Sequence, residues 1–196
     1  MQIPLLKPIN IEYKKYFVPD FSDEDDFYDI AIIKYPHKIL DVFDCVLDRL
    51  DPRIELLSNE YFRLSQEYRY LGFIEEVFDL NGKKCYVDAI FNENSHLTFR
   101  RELCCFDEID KFILLRQLTT FSNIGHKKDY LIDDVNLAKM FIRGMLRESW
   151  QYSLYFDKNP LLVMGNYDLS LPLIFKNEKD IKIYEKIASK YGLYVR

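Results

Sequence analysis

Apolar segments recur along the chain from Ile30 to Val195, and no Gly/Ser-rich or Pro-rich stretch separates them. A chain patterned this way offers no linker at which to divide, so it is expected to fold as one cooperative unit. The 196 residues include only 6 Gly and 7 Pro, against 48% hydrophobic and 30% charged side chains. That balance excludes a disordered or collagen-like chain and supplies enough apolar area for one sizeable core. Residues 1–27 carry Pro4, Pro8, Pro19 and an acidic run from Asp20 to Asp26, and read as an N-terminal arm. Residues 28–196 read as a single α+β domain.

A short β-branched centre predicts a first strand over 28–35, closed by Pro36. Over 37–50 the residues Ile39, Leu40, Val42, Phe43, Val46, Leu47 and Leu50 recur at three- and four-residue steps, which predicts a helix. The stretch 54–70 fits a helix or a strand. Asn81-Gly82 between 73–80 and 84–91 predicts a hairpin, because both residues tolerate positive φ, and 96–104 would add a third strand. Helical spacing returns over 106–120 and again after Asp133, where Leu137, Phe141 and Met145 share a face. Two strands follow at 152–156 and 161–164, and Pro172 favours an edge or an interruption in the next one. Ile181, Tyr184, Ile187 and Ala188 form the inner side of a last helix ended by Gly192. The expected fold is α+β: a single compact domain with an antiparallel meander and packed amphipathic helices.

The 32 acidic and 27 basic side chains leave a net charge of −5, which disfavours non-specific wrapping of nucleic acid. The opening MQIPLLKPINIEYKKYF lacks a basic segment followed by a long apolar one, and no later run is long enough to span a bilayer. The expectation is therefore a cytoplasmic protein with no membrane contact. Cys45, Cys85, Cys104 and Cys105 have no CxxC spacing, and His37, His96 and His126 are scattered, so neither a metal site nor a cofactor is expected.

Three charge constellations stand out. Asp41, Asp44, Asp48 and Asp51 follow steps of three, four and three residues, which on the expected helix would place the first three on one face. That face would offer partner-binding carboxylates to a basic surface. Lys139, Arg143 and Arg147 form a basic stripe, repeated by Lys182, Lys186 and Lys190, unless Glu148, Glu178 and Glu185 neutralise it. Asp88 and Glu102 on neighbouring expected strands would form an alternative catalytic pair for a divalent-metal-dependent nuclease or phosphohydrolase, with Arg100 or Arg101 on phosphate. The glutamate lacks the lysine two positions on that such nucleases use, since Cys104 stands there.

The leading functional expectation is a non-catalytic protein-binding module, such as an immunity or inhibitory protein that occludes a basic effector. The nuclease is the enzyme alternative, and a structural adaptor or homo-oligomer joined through its charged helices is the third.

Overall fold

The sheet is built by strict alternation. The computed structural model describes residues 3–9, 17, 27–92, 103, 106–121, 123–149 and 152–196. Strands β1 (Lys7–Pro8), β2 (His37–Asp41), β3 (Cys85–Asn92), β4 (Asn123–Ile132), β5 (Ser153–Phe156), β6 (Leu161–Met164), β7 (Leu171–Phe175) and β8 (Tyr194–Val195) form one antiparallel sheet. Their order is β1-β4-β3-β5-β6-β7-β2-β8. On one face Cys85, Val87, Leu154, Phe156, Leu161, Val163, Leu173 and Phe175 enter the main core. Their neighbours Tyr86, Tyr155, Leu162 and Ile174 point to the other face, into a smaller core with Phe17, Phe27 and Ala31. A period of two with both faces apolar is what a doubly covered sheet requires.

Helices α3 (Glu60–Leu80), α4 (Glu108–Phe121), α5 (Val135–Leu146) and α6 (Ile181–Lys190) pack on the main face, while α1 (Phe27–Lys34) covers the other. One further turn, α2 (Ile54–Leu57), leads into α3. Asn59 starts α3 by accepting the Phe62 amide at 3.0 Å, and Asp134 starts α5 by accepting the Asn136 amide at 2.8 Å. The molecule is thus a single compact α+β domain, and among the described residues no helix is long and apolar enough to cross a membrane.

Several local expectations are corrected. Residues 28–34, expected as a strand, belong to α1, whose Phe27 and Ala31 lie four apart on the buried side. The expected helix over 37–50 is instead strand β2 followed by an irregular loop. Strand pairing on both sides decides this: Leu40 lies opposite Leu171 of β7 and Val195 of β8. Residues 73–80 are the last turns of α3, where Phe73, Ile74, Val77 and Phe78 bury one side. Asn81-Gly82 ends that helix rather than turning a hairpin; Gly82 and Lys83 have φ of 76° and 61°, and the Lys83 amide bonds the Phe78 carbonyl at 2.9 Å. Gly72 lies within α3, where a Cβ would overlap the Tyr191 ring that packs there. Pro172 lies on an internal strand, with β6 and β2 on either side. The expected strand at 96–104 falls outside the described residues apart from Leu103.

Tyr184 joins α6 to the β5–β6 turn, its hydroxyl donating to the Asn159 carbonyl at 2.6 Å, and burial pushes its phenol up to about 12. The phenol of an unfolded chain ionises near 10. Between those two values the native state binds the extra proton, so stability present below pH 10 is lost as pH rises towards 12. Tyr184→Phe is expected to lower stability by about 1 kcal/mol at pH 7 and to flatten its decline above pH 10, measured by urea unfolding across pH.

Candidate functional site

The four aspartates do not share a helix face. Each of three closes a turn on its own backbone: Asp41 accepts the Phe43 amide, Asp48 the Leu50 amide and Asp51 the Arg53 amide, all at 2.9 Å. This side-chain turn two residues on is a loop device that competes with helix formation. It explains why aspartates at helical spacing do not make a helix here.

Their surroundings then divide them. Asp41 is buried, with Oδ2 accepting Nη2 of Arg196 at 2.5 Å and Nε at 3.2 Å. Asp51 is held by Arg53 at 2.7 Å, which lowers its carboxyl below the usual range. Asp44 is exposed with Arg53 only at 3.8 Å, and Asp48 is exposed as well. Two of the four therefore still face solvent, on a loop over 42–53 instead of on a helix.

Beneath that loop lies a cavity of about 470 Å³. One wall is apolar: Phe43, Val46, Leu47, Ile54 and Leu57. The other is polar, formed by Asp41, Arg63, Glu148, Asp168, Ser170 and Arg196 from five separate segments. Arg63 Nη2 pairs with Glu148 at 2.7 Å and bonds the Leu146 carbonyl at 3.1 Å. Glu148 Oε1 also accepts the Asp168 amide at 3.0 Å. Ser58 and Arg63 also line a neighbouring cavity of about 650 Å³, with Leu64, Glu67, Phe106 and Arg147.

Backbone strain collects at the first cavity. Among the described residues four non-glycines have positive φ, and three of them, Glu148, Asp168 and Leu169, are on or beside its polar wall at 57°, 58° and 57°. Such conformations persist only where the surroundings over-determine them. Here the ion pair to Arg63, the bond from the Asp168 amide to Glu148 and the Tyr70 hydroxyl on the Leu169 carbonyl do so.

The basic stripe on α5 is neutralised internally, though by other acids than expected. Lys139 pairs with Glu75, Arg143 with Asp110 and Arg147 with Glu67, at 2.6, 2.6 and 2.5 Å. Lys190 pairs with Glu76, also at 2.6 Å. Asp88, proposed for catalysis, is a buried residue of β3 set opposite Asp129 of β4. Arg100, Arg101 and Glu102 lie outside the described residues. Among the described residues no three His, Cys, Asp or Glu side chains gather as metal ligands.

The sequence does not mark Arg63, Glu148, Ser170 and Arg196 as a site, since nothing in their spacing links residues drawn from remote segments. Compared with known proteins, the chain matches no family model, no curated protein and no solved structure.

Asp41→Asn is expected to cost about 3 kcal/mol, because it leaves the part-buried Arg196 without its counter-charge. Asp48→Asn, which keeps the turn-forming oxygen, should stay within about 0.5 kcal/mol of the parent. Urea midpoints at constant m-value check both.

Proposed function

We propose that this chain is a non-catalytic protein-binding module, acting as an immunity or inhibitory protein that occludes a basic effector. One observation carries the reading: the stretch 44–68 exposes large apolar side chains beside a cavity and rims them with acids. Val46, Leu50, Tyr61 and Tyr68 are 76%, 91%, 85% and 65% exposed. Single exposed apolar residues are ordinary on any protein. A group of them along one loop and the helix that follows is characteristic of surfaces that become buried in a complex. Tyr61, Leu64 and Tyr68 follow three- and four-residue steps and so share one side of α3, and Leu64 lines the second cavity.

The division of labour follows from the physical chemistry of interfaces. Leu50, Val46 and the two tyrosines would form the desolvated centre, where aromatic rings contribute most. Asp44 and Asp48 would sit at the rim, raising the encounter rate with a lysine- or arginine-rich partner and adding little to affinity once it is bound. Asp41 and Asp51, already matched by Arg196 and Arg53, take no part.

The test is affinity capture from native cell extract with the parent chain, Leu50→Asp and Asp44→Lys/Asp48→Lys, followed by mass spectrometry. The expected result is a basic protein retained by the parent in a one-to-one, salt-sensitive complex, lost with Leu50→Asp and weakened by the double charge reversal. Equal retention by all three would contradict the reading, as would capture only of further copies of this chain.

A further inference from the structure

We propose that the cavity beneath the 42–53 loop receives one arginine or lysine side chain of the partner; the inference rests on the protein-binding reading above and gives that site its recognition chemistry. The argument is a charge account of the walls. Both arginines in the cavity are committed, Arg196 to Asp41 and Arg63 to Glu148 and the Leu146 carbonyl. Those contacts match two of the three carboxylates. The third, Asp168, is exposed, and its carboxylate enters no ion pair or hydrogen bond among the described residues. The wall therefore keeps one net negative charge at its Asp168–Ser170 end, facing an apolar side of Phe43, Val46, Leu47, Ile54 and Leu57.

A cavity apolar along one side and acidic at one end suits a side chain with an apolar stem and a cationic head. An aliphatic side chain would fill the apolar side but strip water from Asp168 with nothing in return. An acidic one would meet like charge. The rim already seats a guanidinium in this manner: Arg53 lies 5.6 Å from the centre of the Phe43 ring while bonding the Asp51 carboxylate. The left-handed backbone at Glu148, Asp168 and Leu169, fixed by Arg63 and Tyr70, sets Asp168 in place before a partner arrives. Such preorganisation lowers the ordering cost of binding.

The experiment is an NMR titration of the isotopically labelled full chain with N-acetyl-arginine amide, N-acetyl-norleucine amide and N-acetyl-glutamate amide. The arginine amide is expected to give saturable shifts at the Leu47, Asp168 and Ser170 amides, and Asp168→Asn to weaken it about tenfold with unchanged thermal unfolding. Norleucine amide binding as well as arginine amide would overturn the proposal, reducing the cavity to an apolar slot. Preferential binding of glutamate amide, or no saturable shift with any probe, would overturn it too. The titration reads the cavity with no partner present, whereas capture reads Leu50 and the acid rim, so the two readings fail separately.

Discussion

Strand β2 ends at a buried carboxylate, and the arrangement of the proposed docking face depends on it. Asp41 is paired to Arg196, a residue 155 positions away that follows β8. With Leu40 pinned between β7 and β8, this contact fixes where the chain must leave the sheet. From that point residues 42–53 can only run outward over the cavity. A buried pair of this kind is weak as a source of net stability but strongly unfavourable to break by halves. Its contribution is to specify one exit for the chain.

Downstream of that exit, structure and proposed function use the same groups for different ends. Aspartate side chains that close turns on their own backbone order the loop without needing a partner, leaving Val46 and Leu50 outward. Arg63 and Glu148 hold the opposite wall, and through the Asp168 amide they brace a backbone that would otherwise relax. The proposed docking surface is thus rigid at its polar end and apolar at its centre, a combination that favours selective docking over general adhesion.

The fold class was legible because the two-residue alternation and the helical steps are strong over most of the chain. The hairpin of β5 and β6, helices α4, α5 and α6, and the Gly192 cap all follow from local pattern. The failures have a common cause. Residues 28–34 and 37–50 carry apolar spacing compatible with either state; burial of Phe27 and Ala31 against the sheet's second face made the first a helix, and pairing with strands more than a hundred residues away made 37–41 a strand. Of Asn81-Gly82 only the glycine adopts positive φ, while Asn81 stays at −89°, and positive φ ends a helix as readily as it turns a hairpin. For the site, the sequence marks Asp44 and Asp48 as exposed acids, but on a helix instead of the loop that carries them. The cavity was beyond reach because its polar wall is assembled from distant residues whose pairing no local pattern encodes.

Native-state hydrogen exchange along 37–53 tests the central claim most directly. The Ile39 amide bonds the Arg196 carbonyl at 2.9 Å, and that of Phe175 bonds the Pro36 carbonyl at 2.9 Å. Both amides should exchange only through near-global unfolding, while those of residues 44–49 exchange close to intrinsic rates. A continuous protected block over 41–50 would show a helix there, returning Asp41 to a solvent-facing stripe and contradicting the account.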